Sequence, residues 1–89
     1  MNYILDIKPS VKKILSKLAR KDPKKVEIII KKIDEILINP HRYKNHRSPL
    51  DDWKRVHIDK NFVLCFSINE NEKVVTIEDY DHHDNIYKH

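Results

Sequence analysis

Two Xaa-Pro steps, Asp22-Pro23 and Asn39-Pro40, bracket the stretch "PKKVEIIIKKIDEILIN" and constrain the first half of this chain more than any other feature. The residue before a proline is pushed out of the helical region, so a helix must end at each step. Asp22 can cap a new helix, and Pro23 suits its first position. Between the steps, Val26, Ile29, Ile30, Ile33 and Leu37 form an apolar stripe of helical period. Upstream, "KPSVKKILSKLARKD" repeats Val11, Ile14, Leu15 and Leu18 at i, i+3, i+4 and i+7, a second amphipathic helix whose first turn holds Pro9 and Ser10. The connection is too short for anything but an antiparallel helix hairpin.

The rest of the chain reads as strand. "NYILDI" alternates, with Tyr3, Leu5 and Ile7 on one side, and predicts a strand ahead of the hairpin. "HRYKNHRSPLDD" is a polar, basic loop. "WKRVHI" and "FVLCFSI" flank Asp59-Lys60-Asn61 as a β-hairpin, with Phe62, Leu64, Phe66 and Ile68 on one face of its second strand. "NENEK" is a turn, "VVTIEDY" a further strand, and "HHDNIYKH" a short tail or helical turn. A strand, a helix pair and a three-strand meander make an α+β fold. The 89 residues suffice for a single domain with one modest core, residues 1–89. The helices should cover one sheet face and leave the other partly open.

Composition narrows the chemistry. The chain has no glycine, which excludes glycine-rich phosphate loops, and a single cysteine, Cys65, which excludes an internal disulfide and a cysteine zinc cluster. Cys65 reads as a packed thiol and Trp53 as a packing residue. The opening residues lack the pattern of a signal peptide and no apolar run is long enough for a membrane span, so a cytoplasmic protein is expected. A net charge of +4 favours phosphate backbones, ribosomes or acidic proteins as partners. The "KK" pairs at 12–13, 24–25 and 31–32 fall mainly off the apolar stripes, as solvated helix faces or as docking lysines.

Three of the six histidines lie in "DYDHHDNIYKH". Adjacent histidines in an extended segment point to opposite sides, so His82 and His83 make a poor pair of ligands and no metal is expected. A solvated tail and half of a catalytic site both remain open. On the strand from Trp53, alternation sends Val56 and Ile58 one way and Trp53, Arg55 and His57 the other. If the aliphatic pair faces the helices, Arg55 and His57 stand on the open face. Histidine exchanges a proton near neutral pH, and metal-free RNA cleavage needs two such transfers beside cations that stabilise the phosphate.

The order of elements resembles the RelE/ParE superfamily of toxins from type II toxin–antitoxin modules, over nearly the whole chain. The likeness narrows at "HRSPLDDWKRVHIDKNFVLCFSI" and "HDNIY", which resemble the YafQ-type branch: a histidine before a Pro-Leu step, a Trp, then "H-hydrophobic-x-x-D-W-x-L-x-Y", and later "H-x-x-hydrophobic-F". That branch cuts mRNA on the translating ribosome without metal or other cofactor, using histidines. The resemblance implies His46, His57 and His83 as catalytic residues, with Asn61 and Phe62 in the places of the branch's Asp and Trp. One residue is inserted between His46 and Pro49, and Asn61 brings an amide where the branch has a carboxylate. His83 is preferred to His82 because it precedes Ile86-Tyr87 as the branch's last histidine precedes its hydrophobic–Phe pair. Arg47, Lys54, Arg55 and Lys60 are the candidate RNA contacts. The implied partners are a cognate antitoxin, the ribosome and mRNA, with no membrane. A ParE-like toxin that inhibits DNA gyrase by binding, or an inactive binding module, would share the fold.

Overall fold

A computed structural model of the chain describes residues 3–44 and 53–86. Strand β1 (Ile4–Ile7) leads into helices α1 (Pro9–Lys21) and α2 (Pro23–Ile38) and a 3-10 turn at Pro40–Arg42. Strands β2 (Lys54–Ile58), β3 (Phe62–Asn69) and β4 (Val74–His82) follow, and one turn of helix, α3 (His83–Ile86), begins directly after β4.

The helix boundaries follow from local chemistry. Asp22 takes extended angles, φ −148° and ψ 76°, ahead of Pro23. Its N–H donates to the Leu18 carbonyl at 2.7 Å and its carboxylate accepts from the Lys25 N–H at 3.2 Å. One residue thus closes α1 and caps α2, while Arg20 and Lys21 sit favourably at the negative end of α1. Asn39 repeats the extended geometry before Pro40 and ends α2.

The four strands form one mixed sheet in the order β1-β4-β3-β2. β2, β3 and β4 are the antiparallel meander expected from sequence. β1 runs parallel to β4 at the edge, pairing Ile4 with Val74 and Ile7 with Ile77. Parallel neighbours need a long crossover, and the helix hairpin supplies it.

The core lies between the helices and one sheet face. Val11, Ile29, Ile33 and Ile36 meet Ile58, Leu64, Phe66, Val75, Ile77 and Tyr80, with Leu15, Leu18, Val56, Phe62 and Ile68 packed around them. The α2 stripe differs from expectation at two positions. Ile36 is fully buried, and Ile30 is 53% exposed. Ile29, Ile33 and Ile36 are spaced by four and three residues and share one line along the helix, whereas Ile30 stands about 100° round from Ile29.

A β-bulge in β4 interrupts the alternation. Cys65 pairs with Asp79 but Phe66 pairs with Ile77, which leaves Glu78 as the extra residue. Ile77 and Tyr80 therefore both face the core although three positions apart. Beyond the bulge Asp79 and Asp81 turn to the open face, and His82 turns to the helix side beside Phe62, with ring centroids 5.4 Å apart. Glu78 accepts from the Ser67 hydroxyl at 2.5 Å and pairs with Lys8.

At the opposite end of the sheet from the β2–β3 turn, Glu70 joins three segments. Its carboxylate takes hydrogen bonds from Lys73 Nζ at 2.7 Å, His41 Nε2 at 2.9 Å and the Tyr3 hydroxyl at 2.8 Å. These donors, Lys73 foremost, hold the carboxyl down from its ordinary 4.5 to about 2. A depressed carboxylate stabilises the fold fully above its ordinary value and loses that contribution as pH falls through the folded value. The melting temperature should therefore decline between pH 4.5 and about 2, and Glu70→Gln should flatten part of that decline. The exposure of the Glu70 side chain to solvent keeps the effect small.

Candidate active site

The open face is ordered by the same alternation that builds the core. Because Val56 and Ile58 pack inward, His57 and Arg55 project outward from β2. Their cross-strand partners on β3 are Val63 and Cys65. Trp53 packs on these two, and Lys8 Nζ lies 5.5 Å from its ring. The packing expected for Trp53 is thus found on the open face.

The switch from β4 to α3 delivers the second imidazole. The His83 N–H donates to the Asn61 carbonyl at 2.6 Å, which ties the start of α3 to the β2–β3 turn. Its ring then stacks on His57, centroids 5.5 Å apart and planes 27° from parallel. Asp84 lies beside it, with a carboxylate oxygen 3.7 Å from His83 Nδ1. Its N–H also donates to Nδ1 of the neighbouring His82, at 3.2 Å. His57 is exposed and His83 half-buried, so both are open to a ligand from outside.

The sequence-derived residues divide between the two faces. His57, His83 and Arg55 share the open side, and Lys60 is exposed in the adjoining turn. Asn61 contributes its backbone carbonyl to the pair's geometry. Phe62 lies on the helix side, stacked on Tyr80 at 5.2 Å with planes 10° apart, so its ring meets His82 and is on the other face from His57 and His83. Lys54 also points to the helix side, opposite Phe66, where its ammonium donates to the Tyr43 carbonyl at 3.1 Å. Successive residues on a strand alternate faces, which separates Lys54 from Arg55 and Phe62 from Val63. His46 and Arg47 fall in 45–52, outside the described residues.

Sequence reasoning missed Asp84 as the carboxylate beside His83, because the resemblance puts the negative charge at the position of Asn61. The acidic run "DYDHHD" was the available signal. It also missed a tie between Lys25 and Asp59 across the end of the sheet. Lys25 belongs to one of the lysine pairs read as solvated or docking, yet its ammonium pairs with this turn carboxylate.

Cys65 is fully buried, and burial, with Asp79 adding to it, pushes its thiol up to about 12. A thiol so placed is a poor nucleophile. Its reaction with a soluble disulfide reagent should run at least about 10²-fold slower in the native protein than in denaturant, because reaction waits on opening of the core. Native labelling at the denatured rate would contradict this packing. Among the described residues no group of three or more His, Cys, Asp or Glu could hold a metal ion, and no helix is long and apolar enough to cross a membrane.

Residues 5–87 match the family model described as ParE toxin of type II toxin–antitoxin system, parDE. The chain belongs to this family and is a type II toxin of the RelE/ParE superfamily. A protein of Methanocaldococcus jannaschii carrying the name "Putative toxin RelE4" is 59% identical over 86 residues, 97% of this chain and 92% of that one. The fold is similar to the toxin–antitoxin complex RelBE2 of Mycobacterium tuberculosis, with a TM-score of 0.78 at 19% identity, over 93% of this chain and 100% of that one. It is also similar to E. coli YafQ, with a TM-score of 0.65 at 17% identity, over 96% and 98% of the two chains.

Proposed function

We propose that this toxin cleaves mRNA on the translating ribosome, with His57 and His83 as its acid–base pair. The stack of the two imidazoles at 5.5 Å is the observation that carries the reading. One imidazole takes the proton of a 2′-hydroxyl as that oxygen bonds to the adjacent phosphorus. The bond from phosphorus to the 5′-oxygen breaks, and the other imidazole, protonated, gives its proton to the leaving oxygen. The products are a 2′,3′-cyclic phosphate and a 5′-hydroxyl, and water can open the cycle to a 3′-phosphate. Such proton transfers contribute about 10²–10⁴-fold to a rate. Arg55 on the same face and Lys60 in the turn are the candidate contacts for phosphate oxygens, and the Asp84 carboxylate lies 3.7 Å from His83 Nδ1. The likeness to the RelBE2 toxin–antitoxin complex supports a cognate antitoxin as partner.

A second reading, inhibition of gyrase by protein binding, is favoured by the ParE description of the matching family. Induced expression in translating cells, with mRNA ends mapped by primer extension, separates the two. Translation-dependent cuts that vanish when His57 and His83 are both alanine support the nuclease. Growth arrest with intact mRNA, unchanged in that variant, supports the inhibitor. Neither arrest nor cuts would leave an inactive binding module.

A further inference from the structure

Resting on the nuclease reading, we propose that Lys25 and Asp59 are positioning residues, which set the separation of His57 and His83 by pinning the β2–β3 turn to the start of α2. The turn is Asp59-Lys60-Asn61, immediately after Ile58 of β2 and before Phe62 of β3. Asp59 adopts φ 47°, the left-handed region that is costly for a residue with a Cβ. Its carboxylate compensates in two directions. Oδ1 accepts the Asn61 N–H at 3.1 Å, and Oδ2 pairs with the Lys25 ammonium.

Both ends of this tie are themselves held. The Lys25 N–H donates to the capping carboxylate of Asp22, and its ammonium lies 5.3 Å from the Phe62 ring. The Lys25 side chain is 21% exposed and that of Asp59 37%, so the pair is open to solvent on its Asp59 side. On the other side, Asn61 is the residue whose carbonyl receives His83. The connection runs from α2 through Lys25, Asp59 and Asn61 to the His83 backbone, and from there to the ring that stacks on His57.

His57 sits on β2, which the core fixes through Val56 and Ile58. His83 follows directly on His82, which pairs with Phe62 at the end of β4, and its N–H adds a link to the turn at Asn61. Movement of the turn therefore bears more directly on His83, which is bonded to it, than on His57, whose neighbours Val56 and Ile58 are packed in the core. A misplacement of about 1 Å costs about 10²-fold in a reaction that depends on orientation. The tie lies across the sheet end from the open face, so it acts on the pair through Asn61.

The test compares Lys25→Met, which keeps the aliphatic stem over Phe62 without the charge, with Lys25→Arg, which keeps the charge, and Asp59→Asn, which keeps an acceptor for the Asn61 N–H. Lys25→Met and Asp59→Asn should each lower kcat about 10- to 100-fold with KM within about twofold, and Lys25→Arg should restore most of the rate. Hydrogen exchange at the His83 amide should quicken about tenfold or more in the two charge-breaking variants, and the nuclear Overhauser contacts between the two rings should weaken. A rise in KM alone would overturn the proposal and make Lys25 a substrate contact. Unchanged kcat with unchanged exchange would overturn it too. If the wild type cuts no RNA the nuclease reading fails, and the exchange and ring contacts still decide whether this tie positions His83. Should Lys25→Met fail to fold, Asp59→Asn carries both readouts.

Discussion

If the proposed mechanism holds, alanine at either His57 or His83 should slow RNA cleavage by about 10²–10⁴-fold, because each substitution would remove one of two proton transfers in a single displacement. The double variant should be little slower than the worse single one, since a pair that works as a unit loses its advantage with either member. Single-turnover cleavage on programmed ribosomes measures this directly. Neither ring belongs to the core, so the melting temperature should stay close to wild type, within the roughly 0.5 kcal/mol typical of surface changes. Two variants that fold, bind ribosomes and cut at the wild-type rate would remove the histidine pair from the mechanism.

The second large effect concerns stability. Phe66 is fully buried at the middle of the sheet, pairs with Lys54 and Ile77, and packs edge-on to Tyr43 with centroids 5.7 Å apart. Phe66→Ala should cost about 3–5 kcal/mol, the lost transfer of a phenyl ring plus the cavity it leaves. Domains hold only about 5–15 kcal/mol in total, so a large share of the stability goes with one side chain. Urea denaturation should show a midpoint far below that of Cys65→Ala, which removes one small atom from the thin open-face cluster with Val63 and Trp53. Equal midpoints would mean that the helix-side core is not what holds the sheet.

The two helices were legible because their limits are written locally, in the residues before Pro23 and Pro40 and in the i, i+3, i+4 spacing between them. The inward faces of β2 and β3 were legible for the same kind of reason, since Val56, Ile58, Leu64 and Phe66 alternate without interruption. The parallel pairing of β1 with β4 was not legible, because nothing local in "ILDI" or "VVTI" names a partner at the other end of the chain. The choice between His82 and His83 depends on the bulge at Glu78. Strict alternation from Val75 and Ile77 would send His82 outward with Tyr80. The extra residue reverses this, turning Tyr80 and His82 in, and α3 then begins at His83 with its ring against His57. Family resemblance favoured His83, and nothing local to the strand signals the bulge. The Lys25–Asp59 pair was invisible for a different reason: it joins a helix start to a turn, and residue spacing holds no trace of such a contact.

The edge pairing of β1 with β4 has a consequence for how the molecule comes into being. A chain leaves the ribosome from its N-terminal end, so β1, α1 and α2 emerge while the strand that β1 must pair with has yet to be made. Closing such a distant contact is entropically the slow part of folding. The segment that completes the sheet also leads straight into His83. Sheet and histidine pair are therefore finished together, once β4 has been made.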